Sequence, residues 1–134
     1  MSLVLDASVA CAWAFEDETT PALEELLDRV VDEEVFVPVL WRSEVMNVLV
    51  QSCRRERIDE QGASEFWKQL ENLGFRESIF RPSWDEIVRL CNQYELSAYD
   101  ANYLALALHL RAPLATLDAN LAKAAKDAGV EVLP

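Results

Sequence analysis

Short apolar runs alternate along this chain with stretches in which apolar residues return every three or four positions. "SLVLD" is a compact apolar run closed by Asp6 and reads as a buried strand. "ASVACAWAF" continues as a short helix. Leu23, Leu26, Leu27, Val30 and Val31 then recur at helical spacing, with Pro21 near the first turn, where its missing N–H is tolerated. "VFVP" is a second strand ending on Pro38, and it leads into a helix over residues 40–51. Phe66, Trp67, Leu70 and Leu73 mark a further helix that Gly74 closes. Residues 75–80 are expected to form an edge strand ahead of Pro82. Ile87, Leu90, Cys91 and Tyr94 define an amphipathic helix, and "SAYDANYLALALHLRA" another, capped by Ser97. "PLATLD" is a strand with proline at its first position. "ANLAKAAKDAG" is a helix ending on Gly129, and "VEVL" is a last strand.

Strands alternating with helices predict an α/β fold of three layers, α/β/α, around a central, mainly parallel sheet of four to five strands. No repeat, linker or low-complexity tract interrupts the pattern, so residues 1–134 are expected to form a single domain. In such folds ligands bind beyond the carboxyl ends of the strands. Chemistry is therefore sought where the strands end.

Composition narrows the class. Half of the residues are hydrophobic and only 3 are glycine, which excludes a disordered chain. No apolar run reaches the roughly 18 residues of a membrane span, and "MSLVLDAS" lacks the basic start of a signal peptide. Cys11, Cys53 and Cys91 match no zinc spacing and read as reduced thiols of a cytoplasmic protein. His109, the single histidine, is assigned to packing. The net charge of −12 is uneven: residues 1–34 carry ten acids against Arg29 alone, and the remainder is close to neutral. That excess bears on solubility or on a basic partner rather than on a site. The later part even holds a basic knot, Arg54, Arg55 and Arg57.

The helix "LWRSEVMNVLVQ" poses a puzzle. Valine, methionine and leucine make it apolar nearly all round, as a buried helix is, yet Glu44, Asn47 and Gln51 share one face at i, i+3 and i+7. Two strands end on Asp6 and Asp118, and Asp100 lies in the first turn of its helix. Each acid has a bland explanation. Asp6 and Asp118 can be N-caps, Ser97 with Asp100 a capping box, and Glu44 the partner of Arg42. Together the four suggest a shared crevice, where like charges repel unless a cation neutralises them. Ligands offering oxygen alone suit a hard ion such as Mg²⁺ or Mn²⁺.

"LVLDASVACAWAF", "SEVMNVLV", "LSAYDANYLALA" and "ATLDANLAKAA" resemble the four acidic motifs of PIN-domain ribonucleases, and the whole layout is similar to the VapC-type toxins of toxin–antitoxin systems. The resemblance covers nearly the entire chain. It implies that Asp6, Glu44, Asp100 and Asp118 are the catalytic and metal-binding acids, holding one or two Mg²⁺ or Mn²⁺ ions. Ser8 and Thr116 match accessory hydroxyl positions, and Asn47 a polar supporting position. Asn120 stands where some members carry a further acid, a departure that bears on a second metal. The implied function is an endoribonuclease that hydrolyses RNA through metal-activated water, leaving a 5′-phosphate and a 3′-hydroxyl. The implied partners are RNA, held by Arg54, Arg55 and Arg57, and a cognate antitoxin. Homodimers, and heterotetramers or larger assemblies with the antitoxin, are expected.

Two other classes compete. A PIN-like module without activity would keep the fold only to bind a partner. A receiver-type aspartyl-phosphate domain would need an acid pair beside Asp6 and a lysine near the site, whereas Ala7 and Ser8 follow Asp6 and the first lysine is Lys68.

Overall fold

The computed structural model describes all residues, Met1 to Pro134. Strand β1 (Ser2–Leu5) is followed by helix α1 (Ala7–Ala12), a 3₁₀ turn (Glu16–Glu18) and α2 (Pro21–Asp32). Strand β2 (Glu34–Val37) leads into α3 (Leu40–Arg54) and α4 (Glu60–Asn72). Next come β3 (Arg76–Glu77), α5 (Trp84–Tyr94), α6 (Ala98–Leu110), β4 (Leu114–Ala115), α7 (Ala119–Asp127) and β5 (Val132–Leu133). The five strands form one sheet in the order β3-β2-β1-β4-β5, and every pairing is parallel. The alternation of elements read from the sequence is therefore the architecture.

The sheet order matters for the site. From β1 the chain crosses to β2 and then β3 on one side; from β4 it crosses to β5 on the other. Right-handed crossovers in opposite directions send the connecting helices to opposite faces of the sheet. The crevice at the carboxyl ends of β1 and β4 is thus the topological switch point, the place where open parallel sheets bind ligands.

The core explains why the sheet sits where it does. Leu3, Val4 and Leu5 are fully buried, as expected of a central strand covered on both faces. Helix α6 crosses behind it with Ala101 and Tyr103 to Ala107 all buried. Trp41, at the start of α3, packs edge-on against Phe75 and tilted against Trp67. Helix α6 starts where Ser97 Oγ accepts the Asp100 backbone N–H, 3.1 Å away, and Glu95, in the left-handed conformation at φ 55°, turns the chain out of α5 just before it.

Three expectations need correction. Helix α3 is not buried all round: Trp41, Val45, Leu49 and Ser52 turn inward at helical spacing, while Met46, Val48 and Val50 are 39%, 38% and 47% exposed on its outer side. Apolar residues on both sides of the helix had hidden which side faces the core. The helix after β1 stops at Ala12 rather than running to Phe15, because Phe15 turns extended and buries its ring ahead of the 3₁₀ turn. The edge strand over 75–80 shrinks to Arg76–Glu77, where only two residues find a partner in β2.

Candidate active site

Four acids reach the carboxyl edge from four different elements. Asp6 directly follows β1, and Asp118 stands three residues past the end of β4 at the start of α7. Asp100 occupies the first turn of α6, and Glu44 the second turn of α3. Asp6 is buried, Glu44 and Asp100 are half-buried, and Asp118 is exposed. The parallel register that pairs Leu5 with Ala115 brings Thr116 level with Asp6.

Asp6 does not cap its helix. Its Oδ2 instead accepts two hydrogen bonds, from Ser8 Oγ at 2.7 Å and from Thr116 Oγ1 at 2.7 Å. Those hydroxyls are themselves fixed by the backbone: Leu117 N–H donates to Ser8 Oγ and Asp118 N–H to Thr116 Oγ1, each at 3.0 Å. Asp118 is an N-cap, with Oδ1 accepting the Leu121 N–H at 2.9 Å. Glu44 has no arginine. Arg42 lies over the Trp67 ring and near Glu71, and Glu44 Oε1 accepts the hydroxyl of Tyr103. Ser97 and Asp100 make only half of a capping box, because the Asp100 carboxylate has no hydrogen-bond partner in the chain.

A common arrangement emerges. Asp6, Glu44 and Asp118 each have one carboxylate oxygen tied to the protein and the other without a hydrogen-bond partner, and Asp100 has both without one. Ordinary helix capping accounts for one of these three tied acids, Asp118.

Electrostatics shows that the acids share one space. Burial pushes the Asp100 carboxyl from its ordinary 3.8 up to about 6, with the charges of Asp118 and Asp6 adding to the rise. Burial likewise raises Glu44, where the Tyr103 hydrogen bond works the other way and the charges of Asp6 and Asp100 reinforce burial. Asp6 is raised by burial despite the hydroxyls of Ser8 and Thr116, with Asp118 adding a smaller upward push. Cys11, beneath the site, is pushed up to about 12 by burial and by the charges of Asp6, Glu18 and Glu44. Carboxylates that oppose one another's ionisation are the environment a divalent cation relieves. Each of Asp6, Glu44 and Asp100 feels the charge of another of the four acids, yet no three His, Cys, Asp or Glu side chains are grouped tightly enough to enclose an ion by themselves. An open acidic edge still fits Mg²⁺, which keeps several of its waters and takes only one or two carboxylates directly.

The other predicted residues are placed as follows. Asn47 is exposed on α3 with no hydrogen bond to the acids, so the polar stripe reduces to Glu44 alone. Asn120 lines a polar cavity of about 270 Å³ between the C-terminal turn of α5 and α7. Arg54 and Arg55 are exposed at the end of α3. Arg57 is turned away from that pair: it bonds Asp17 and Glu18 at 3.0 Å and lies over the Phe15 ring. His109 stacks on Phe80 with ring centroids 3.9 Å apart; it lies nine residues beyond Asp100 on α6, about 13 Å along the axis at 1.5 Å per residue. Lys123, on α7, pairs with Asp127. Tyr103 was not anticipated. Its position three residues after Asp100, on the same helix face, was the available signal.

A family model described as PIN domain matches residues 3–127, and the chain belongs to that family. It is 32% identical over 123 residues to Ribonuclease VapC9 of Mycobacterium tuberculosis, spanning 89% of this chain and 87% of that one. It is 30% identical over 127 residues to Ribonuclease VapC3 of Pyrobaculum aerophilum, spanning 92% and 94%. Among solved structures, PAE2754 from Pyrobaculum aerophilum superposes with a TM-score of 0.75 at 25% identity, over 98% of this chain and 89% of that one. VapBC2 from Rickettsia felis, solved with a DNA fragment from its promoter, shares the fold at a TM-score of 0.66 and 13% identity, over 98% and 97%.

Proposed function

We propose that this chain is a Mg²⁺- or Mn²⁺-dependent endoribonuclease and the toxin of a toxin–antitoxin pair. The observation that carries the reading is the convergence of Asp6, Glu44, Asp100 and Asp118 on one sheet edge, with pKa values raised in three of them by burial and by one another's charge. Relatives named as VapC ribonucleases across most of the chain support it.

The untied oxygens of Asp6, Glu44, Asp100 and Asp118 would hold one or two ions, directly or through water. When bound, a divalent cation supplies Lewis-acid polarisation of a phosphodiester and lowers the pKa of a coordinated water. The chain's own groups do the rest. Ser8 and Thr116 keep Oδ2 of Asp6 engaged, so that Oδ1 is the oxygen left to serve as a ligand. Asp118 is held by its cap to Leu121. Asp100, free at both oxygens and with a carboxyl near 6, accepts a proton at close to neutral pH before an ion is bound. Arg54 and Arg55, exposed and free of carboxylate partners, are candidate cations for RNA phosphates. Ser8 and Thr116 direct their hydroxyl protons to Asp6 and His109 lies about two and a half helical turns from Asp100, so water is the attacking group in this reading.

The partners follow from the surface. The acidic stretch before residue 35 and the acidic crevice suit a basic segment of the cognate antitoxin, and the exposed apolar side of α3 offers area for a homodimer or a larger complex with the antitoxin. No helix is long and apolar enough to cross a membrane. The test is cleavage of total cellular RNA by purified protein with Mg²⁺ or Mn²⁺. Wild type is expected to cut and Asp100→Asn is not. Cutting that survives both chelation and Asp100→Asn would remove the metal-dependent reading, and absence of cutting by wild type would favour a binding module.

A further inference from the structure

We propose that Tyr103 is the positioning residue that makes Glu44 a one-oxygen ligand for the divalent ion, an inference that rests on the metal-site reading above. Tyr103 is 0% exposed on α6, three residues after Asp100. Its phenol has one proton to donate, and that proton goes to Glu44 Oε1.

The hydrogen bond joins α6 on one side of the sheet to α3 on the other, at the edge where the acids gather. Glu44 has no other polar partner: no arginine or lysine pairs with it, and no backbone N–H caps it. Its three rotatable bonds would otherwise leave the carboxylate free to swing, at an entropic cost to ordering it. A phenol locked in the core supplies the fixed point. The consequence is directional. With one lone pair of Oε1 taken by Tyr103, Oε2 is the oxygen left without a partner, and ligation of an ion through Oε2 alone would be favoured over a bidentate grip. Glu44 thereby acquires the same state as Asp6, tied through Oδ2 by Ser8 and Thr116, and Asp118, tied through Oδ1 by Leu121. Three acids on three elements are each held by one oxygen and offered by the other, by three unrelated devices: hydroxyls, a phenol and a helix N-terminus.

Partners that orient metal ligands from behind typically contribute about 10–100-fold to metal affinity. Tyr103→Phe keeps the ring and deletes only the donor, so the experiment is calorimetric titration of the full chain with Mn²⁺. The expected result is a dissociation constant about 10–100-fold weaker than wild type, with the maximal RNA cleavage rate recovered at high Mn²⁺ and KM for RNA unchanged. In Glu44→Gln, adding Tyr103→Phe is expected to weaken Mn²⁺ no further; an additive loss would show that Tyr103 acts other than through Glu44 and would overturn the proposal. Should Tyr103→Phe fold poorly, the wild-type ζ-carbon NMR resonance of Tyr103 gives an independent reading. It is expected to shift with Mg²⁺ along the binding isotherm, and a stationary resonance counts against the proposal. Mn²⁺ affinity that falls in Asp100→Asn but is untouched in Tyr103→Phe would sink this inference and leave the metal site standing. A wild type that binds no Mn²⁺ would take down both.

Discussion

Asp100→Asn is the substitution whose effect on the fold opposes its effect on the proposed activity. An acid whose folded pKa is raised above its unfolded value binds protons more tightly when folded, so stability falls as pH rises through the interval between the two. For Asp100 that interval runs from 3.8 to about 6. Taken in full, about two pH units correspond to ~3 kcal/mol at 1.36 kcal/mol each. Asp100 is only half-buried, and solvent screening reduces this to about 1–2 kcal/mol of destabilisation by the ionised carboxylate at pH 7. Asparagine keeps the shape and removes the charge. In EDTA at pH 7, Asp100→Asn is expected to melt about 4–8 °C above wild type, given a few degrees per kcal/mol for a chain of this size. At pH 4 the gap should close, because the wild-type carboxyl is then protonated. Saturating Mn²⁺ should also narrow the gap by stabilising wild type through binding. Thermal melts by circular dichroism over this grid are sufficient. An Asp100→Asn protein that melts at or below wild type at pH 7 in EDTA would refute the claim that burial, reinforced by the neighbouring carboxylates, penalises the ionised Asp100.

Other consequences are as direct. Thr116→Val deletes a hydroxyl that serves both Asp6 Oδ2 and the Asp118 N–H, and is expected to cost about 2 kcal/mol in urea denaturation at pH 7. Thr116 lowers the Asp6 pKa, so that cost should shrink as acidification protonates Asp6; a cost that grows instead contradicts the assignment. Cys11, pushed up to about 12, should stay unmodified by iodoacetamide at pH 8 in the folded protein, as read by peptide mass mapping, and react at the rate of an ordinary thiol only after unfolding. Leu104→Ala, in the fully buried stretch of α6, is expected to cost about 2–5 kcal/mol in the same urea assay.

The site was more legible in the sequence than its supports. Asp6 and Asp118 were visible because a short apolar run closed by an acid places that acid at the carboxyl edge of a parallel sheet, whatever the rest of the chain does. Asp100 was visible through Ser97 and the first turn of α6. Glu44 stood out as a carboxylate among valines. Tyr103 did not stand out, because in "NYLALALHL" an aromatic at core spacing reads as packing. Its hydroxyl acquires a role only once α3 is brought against α6, and periodicity says nothing about what lies across an interface. The same limit explains α3, where valines on two sides of the helix made the solvent-facing side indistinguishable from the buried one. Arg57 was read with Arg54 and Arg55 because the three are adjacent in the chain. The fold separates them, since Asp17 and Glu18 come within reach from some 40 positions away.

The claim beneath all of this is that carboxylates from β1, α3, α6 and α7 serve one divalent ion. Crystals of the wild-type protein soaked in Mn²⁺ put it to the most direct test, through anomalous scattering at the manganese edge. The account predicts a peak at the carboxyl end of β1 and β4, within ligand or water-bridged reach of Asp6, Glu44, Asp100 and Asp118, which disappears in Asp6→Asn. Manganese bound elsewhere, or a crevice that stays empty of it at saturating concentration, would contradict it.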